Sequence, residues 1–261
     1  MGHIRLGSLP RTRRWQEVVA LIAGGAQAAQ IANATIRAAE RILSTAFHDV
    51  GLRDSLWLFL QLPLAARADD FRQSLDHLGL SVSHATGLMD ILGAFADAID
   101  ERLANNCGRT DLGEMAQMAA VETFAEVISP QTQGLFGSTW ENVQQAFARL
   151  ATPGQVSHLG RRFFARLIYK FLDFYLSRAL TDHVGQGRRF ATLKQVADFS
   201  HALETHCGEA ARIVEIFSGE WFAKHHWETR GDISRELVAK FAHGAMRKLI
   251  DELKEGASAN G

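Results

Sequence analysis

Cysteine is scarce in this chain of 261 residues, and no long apolar run occurs. The two cysteines, Cys107 and Cys207, are too few for a disulfide framework or a four-thiolate metal site, and they favour a reducing compartment. The longest strongly apolar run, residues 56–66, falls far short of the roughly 20 residues that span a bilayer. We therefore expect neither a disulfide scaffold nor a transmembrane helix.

The chain also has no excess of positive or negative charge. Lysine and arginine number 28 and aspartate and glutamate number 29, so no global electrostatic field attracts nucleic acid or an anionic membrane. No recognised nucleic-acid-binding motif occurs either. A charged partner must therefore be met by a local patch, and nucleic acid is only a minor alternative to a protein partner.

Motifs for several common kinds of enzyme chemistry are absent. The chain has no G-x-x-x-x-G-K-[ST] phosphate loop, no G-x-S-x-G nucleophile elbow and no H-E-x-x-H zinc pair. Eleven histidines are present, but His201 and His206, in the densest group, stand five residues apart, which is about 140° around a helix. A zinc site needs three or four convergent ligands. We therefore predict no metal site and no cofactor.

Helical periodicity, in contrast, runs along nearly the whole sequence. Between residues 152 and 183, apolar residues recur at steps of three and four: Phe163, Phe164, Leu167, Ile168, Phe171, Leu172, Tyr175 and Leu176. Such a stripe must be buried against other helices, whereas alternation typical of strands is scarce. The predicted fold class is all-α, a compact multi-helix domain of about ten helices, with a short extended arm as an option at the N-terminus.

Capping residues predict several of the helix boundaries. Asp111 with Glu114 and Ser138 with Glu141 have the spacing of capping boxes, and Thr152 precedes a proline at the first helical position. The predicted helical segments are 10–24, 25–48, 52–67 (kinked or split at Pro63), 69–78, 84–105, 111–128, 140–150, 153–183, 192–205, 207–227 and 232–255. The expected organisation is an arm over 1–9, a single helical domain over 10–255 with a subdomain boundary near 129–137, and a disordered tail over 256–261.

The N-terminal segment concentrates positive charge. Arg11, Arg13 and Arg14 precede the first acidic residue of the chain, and Trp15 stands beside them. Arginine donates bidentate hydrogen bonds to carboxylates, and tryptophan is frequent at interfaces. We predict that this segment, together with Trp227 as a surface anchor, binds another protein.

The same arginines leave one alternative for localisation. They precede an apolar stretch, residues 18–26, and the triplet at 26–28 resembles a signal-peptidase site. Helical periodicity continues beyond that triplet, however, which favours two core helices. We therefore expect an uncleaved cytoplasmic protein, with export through a cleaved signal as the alternative.

Two further basic features carry weaker hypotheses. Arg188 and Arg189 lie shortly before a predicted helix start, and we interpret them as part of a solvated loop. A predicted anion site is the alternative, because arginines and backbone amides near a helix start suit a phosphate or carboxylate. Arg162, Arg166 and Lys170 share one helix face, which we interpret as an exposed face opposite the core stripe.

The functional hypothesis that remains is an interaction or scaffold protein, acting as a subunit or accessory of a larger assembly. An enzyme whose catalytic groups converge only in three dimensions is the second hypothesis, with the region of His201, Glu204, His206 and His226 as its first candidate site. A membrane-active helical effector is the third, suggested by the apolar segments 56–66 and 163–176. No catalytic residue is assigned.

Overall fold

A computed structural model of the chain describes residues 6, 12–46, 48–84, 87–106, 108–132, 139–229 and 232–255. These residues form twelve helices, which confirms the all-α class. The helices are α1 (Arg13–Ala23), α2 (Ala28–Ala38), α3 (Glu40–Ala46), α4 (Val50–Ala65), α5 (Phe71–His77), α6 (Leu88–Asn106), α7 (Asp111–Thr132), α8 (Trp140–Arg149), α9 (Pro153–Thr181), α10 (Leu193–Ala210), α11 (Arg212–Glu228) and α12 (Arg235–Glu255). Within the described ranges, β-structure occurs only at isolated bridge positions: Val184 pairs with Phe190, and Thr110 is a further bridge residue.

Side-chain caps define many of the helix starts. Thr152 caps α9 by accepting a hydrogen bond from the Gln155 backbone N–H, with Pro153 at the first helical position, as predicted. Thr139 caps α8, one residue later than the predicted Ser138. At α7 the hydroxyl of Thr110 accepts from the Gly113 backbone N–H. Local sequence therefore explains these boundaries to within a residue.

Other boundaries differ from the sequence predictions. The predicted helix over 25–48 is two helices, which meet at Ala39. α4 is not split at Pro63 and α7 does not end before Pro130. Each proline removes one hydrogen bond to the preceding turn, but it lies in the last turn, so only two helical residues follow it. α10 continues to Ala210, which places Cys207 inside that helix.

Helix α9 is central to the packing. It contacts α7, α10 and α11, and its apolar stripe is buried, as its periodicity predicted. The buried side chains from α1 through α12 belong to one connected core cluster. No helix within the described ranges is long and apolar enough to cross a membrane. The segments 56–66 and 163–176 instead lie in α4 and α9 and contribute many buried residues to this core.

Two helix pairs approach so closely that only glycine fits. A Cβ added to Gly160 of α9 would lie 2.3 Å from the Ser218 hydroxyl of α11, and one added to Gly219 would lie 2.2 Å from the Ser157 hydroxyl. At the α4–α7 contact, a Cβ on Gly51 would lie 2.6 Å from the Gly113 Cα. These small residues set the distance between the helices, because real Cβ contacts are never that short.

The predicted arm and tail lie outside the described residues, apart from Leu6, whose backbone N–H donates to the Asp111 carboxylate. The predicted subdomain boundary at 129–137 is described only as far as residue 132, where the chain is still helical.

Candidate functional site

The cationic stripe of α9 faces two carboxylates on α7. Arg162 and Arg166 both pair with Glu126, and the Lys170 ammonium lies 2.7 Å from the Glu122 carboxylate. Burial raises the pKa of Glu126, but hydrogen bonds from the two arginines outweigh it, so the net pKa is lowered. The stripe is therefore exposed in part, as expected, but its positive charges are matched by the neighbouring helix.

A shallow groove beside this stripe is lined by arginines that already have carboxylate partners. It measures about 390 Å³, and Arg161, Arg162 and Arg166 line it together with Glu126 and Glu204. Arg161 also donates to Glu215 at 3.2 Å, and the same carboxylate lies 2.6 Å from His158 Nδ1. Because each of the three arginines already pairs with a carboxylate, the groove offers little net attraction to a charged ligand.

The predicted anion site has a structural role in the fold. The Arg189 guanidinium donates to the carbonyl oxygens of Ile22 and Ala26, at 2.8 and 2.5 Å, and so ties the loop after α9 to the end of α1. Burial lowers the pKa of Arg189. Arg188 is exposed and donates to the Asp182 carbonyl. Anion binding at this loop stays a prediction, and a ligand would compete with these carbonyls for the donors.

The histidines of the enzyme hypothesis have different surroundings. His201 is exposed, and its Nδ1 lies 3.9 Å from the Glu204 carboxylate. The His226 ring stacks on Phe222, and burial lowers the pKa of His206. In the described part of the chain, no three His, Cys, Asp or Glu side chains are grouped as they would be around a metal ion.

The N-terminal arginines divide between two environments. Arg11 lies outside the described residues, and Arg13 is exposed in the first turn of α1. Arg14 donates to the Arg37 carbonyl at 3.0 Å and to the Glu40 carboxylate at 3.2 Å. Trp15 is half-buried and packs against the core. Trp227, the other predicted anchor, is 85% exposed.

Arg14 borders a second groove, which measures about 620 Å³ and is formed by α1, α2, the start of α3 and the end of α12. We call it the cationic groove. The lining residues that matter here are Arg14, Glu17, Asn33, Arg37, Glu40 and Lys254. Three are cations and two are carboxylates, so the lining carries a net positive charge. None of these six residues except Arg14 was singled out from the sequence, because they are distant in the chain and only packing brings them together.

Specific hydrogen bonds hold the walls of the cationic groove. The Asn33 amide donates to the carbonyl oxygens of Leu253 and Lys254, at 3.2 and 2.6 Å, and so satisfies carbonyls near the end of α12. Glu40 accepts from Lys254 at 2.7 Å as well as from Arg14, and these two partners lower the pKa of Glu40. One carboxylate is therefore shared by two cations.

Positive charge is left unmatched at this groove. Within the described part of the chain, neither Arg13 nor Arg37 has a carboxylate within 4.0 Å. The first turn of α1 contains no acidic residue, so Arg13 and Arg14 also face the positive end of the helix dipole, an unfavourable position for cations. Such an arrangement suits an anionic group, above all a carboxylate, which would accept hydrogen bonds from the arginines.

Comparison of this chain with known protein families, with curated proteins and with solved structures finds no match.

Proposed function

We propose that this chain is a helical interaction protein, a subunit or accessory of a larger assembly, which binds an acidic segment of a partner protein at the cationic groove. The observation that carries the proposal is that Arg37, which lines the groove, and Arg13, next to the lining residue Arg14 in the first turn of α1, have no carboxylate partner among the described residues, while Glu40 is already shared by two cations. A helix that begins with two arginines and no acid gives up some stability of its own. A partner carboxylate would restore that stability on binding.

A protein partner fits this groove better than nucleic acid does. The excess charge is local and small, and the chain as a whole carries a formal net charge of −1. Nucleic acid binding depends on many phosphate contacts along an extended basic surface. A short acidic segment needs only a few cations. The two cysteines of the chain support a cytoplasmic setting for this interaction, because reducing compartments keep thiols free.

A defined probe tests the proposal directly. We would titrate the full chain against a fluorescein-labelled oligoglutamate peptide and its oligoglutamine counterpart, and measure anisotropy at two salt concentrations. The Arg13→Ala/Arg37→Ala variant should raise the Kd for oligoglutamate by about fivefold or more, or about 1 kcal/mol. Neither side chain donates an ion pair within the described residues, so the fold should survive.

The matched control is Arg149→Ala/Arg247→Ala, which makes the same charge change at two exposed positions on α8 and α12. This control should leave the Kd nearly unchanged, because neither residue borders the groove. If the two double variants weaken binding equally, attraction is non-specific and the proposal fails. It also fails if oligoglutamine binds as tightly as oligoglutamate. In the native host, cross-links from Lys254 to an acidic segment of a co-purifying protein would identify the partner.

A further inference from the structure

One face of α11 exposes apolar side chains that no other part of the described chain covers. Ile216 is 63% exposed and Trp227 is 85% exposed. They stand eleven residues, or about three turns, apart, so they lie on the same side of the helix. Glu220 and Ala223, both exposed, lie between them on that side. The opposite side packs against α9 through Ser218, which meets Gly160.

The order of residues along this face is self-complementary. If a second copy of α11 lay antiparallel against the first, about a two-fold axis at residues 221–222, Ile216 of each copy would lie against Trp227 of the other. The same axis places Glu220 of each copy opposite Ala223 of the other, and so one residue from Lys224 of the other. Both the apolar and the charged pairs therefore repeat twice, which is the condition for an isologous contact.

The two charged residues are available for such pairs. Glu220 and Lys224 are four residues apart in the order that favours pairing within a helix, yet neither takes part in an ion pair within the described ranges. The other strongly exposed large apolar side chains of the described residues, Met89, Met118 and Leu193, lie on other helices and have no counterpart arranged in this way.

We propose that this α11 face binds a second copy of the same chain, with the two α11 helices antiparallel. The proposal does not depend on the function of the cationic groove, which other helices form. A contact between two helices is smaller than a standard interface, so the dimer should dissociate on dilution. The tryptophan is its anchor, since buried tryptophans are frequent among the residues that carry much of the binding energy of an interface.

Sedimentation velocity on a dilution series of the full chain tests the dimer. The wild-type protein should shift from dimer to monomer as it is diluted. Trp227→Glu should raise the dimer Kd by about tenfold or more. The matched control is Leu193→Glu, which removes an apolar side chain that is 77% exposed at the start of α10. It should dimerise like the wild type.

Charge exchange distinguishes this arrangement from any other apolar association. Glu220→Lys and Lys224→Glu should each weaken the dimer, because each places like charges near one another twice. An equimolar mixture of the two variants should associate more tightly than either alone, since both cross-pairs then combine opposite charges. Circular dichroism melts verify that each variant is folded. A wild-type chain that stays monomeric throughout, or a mixture no tighter than its components, overturns the proposal; the face would then serve another partner or none.

Discussion

The stripe on α9 and the cationic groove both present several cations on the protein surface, but their surroundings differ. On α9, Arg162, Arg166 and Lys170 face Glu122 and Glu126 of the neighbouring helix. At the groove, the Glu40 carboxylate is shared by Arg14 and Lys254, and Arg37 has no carboxylate partner among the described residues. Whether a run of arginines has charge available for a ligand therefore depends on the residues that packing places opposite it.

The two regions also differ in how firmly their helices are joined. Beneath the stripe, α9 and α11 meet at glycine and serine residues with no room for another methyl group. At the groove, the exposed Arg14 side chain joins α1 to the Arg37 carbonyl at the end of α2 and to the Glu40 carboxylate at the start of α3. Polar bridges at a surface contribute less to stability than close packing does, and they leave charge available to a ligand. The predictions below separate these two kinds of contact.

The largest effect is expected at the α9–α11 contact. Gly160→Ala should lower the free energy of unfolding by about 2–3 kcal/mol, because the new Cβ would overlap Ser218 and force the helices apart. Gly154→Ala, on the same helix, is the control. Its Cβ meets open space, so stability should rise by up to about 1 kcal/mol. Urea denaturation measures both, and a similar change in the two variants would contradict the close-contact argument.

Arg189 provides the next test, because it fixes the end of α1 that precedes the groove wall. Arg189→Ala should cost about 1–2 kcal/mol of unfolding free energy, since it leaves partly buried carbonyl oxygens of Ile22 and Ala26 without this donor. Arg188→Ala changes the neighbouring, exposed arginine and should cost less than about 0.5 kcal/mol. Equal melting temperatures for the two variants would argue against a structural role for Arg189.

The pairing of Glu126 with the arginines of α9 should be detectable in the way the unfolding free energy depends on pH. Glu126→Gln should cost about 0.5–1 kcal/mol at neutral pH, a modest value because the carboxylate is partly exposed. The folded state lowers the pKa of Glu126, so its contribution is present above the ordinary glutamate pKa and is lost as pH falls below it. The difference between wild type and variant should therefore vanish in acid. Glu228→Gln, an exposed control, should show no such convergence.

The smallest effect on stability, and the largest on binding, is expected at the N-terminus. Replacing Arg11, Arg13 and Arg14 together by alanine should change the unfolding free energy by less than about 1 kcal/mol. Loss of the Arg14 contacts with Glu40 and the Arg37 carbonyl is offset by removal of cations from the positive end of α1. Partner association should weaken and lose salt sensitivity. A variant that unfolds, or that retains the same partners at the same salt dependence, would show these arginines to be structural or idle.

Local signals predicted much of the fold. The Thr152 cap, the proline after it and the apolar stripe of α9 are all readable from spacing, because helix starts and amphipathic faces depend on residues within a few turns. The same signals placed Trp227 at the surface, in agreement with its 85% exposure. They ended α7 before Pro130, whereas the helix continues through it, and α4 is not split at Pro63, because the effect of a proline depends on its position within the helix.

The candidate site was only partly predictable from the sequence, because its residues come from helices that are far apart in the chain. The sequence singled out Arg13 and Arg14 by their charge, but it contained no signal for Arg37, Glu40 or Lys254, which the fold brings together from α2, α3 and α12. It likewise marked Arg189 as a candidate anion ligand, whereas the structure shows its donors bound to backbone carbonyls.

By itself, the sequence determined that the chain is helical, where many of its helices begin and which of their faces are buried, since those properties follow from caps and periodicity. Only the tertiary structure decided which cations pair with carboxylates, which arginine donates to backbone carbonyls and which apolar residues of α11 stay exposed. These depend on contacts between residues far apart in the chain, and no local pattern records them.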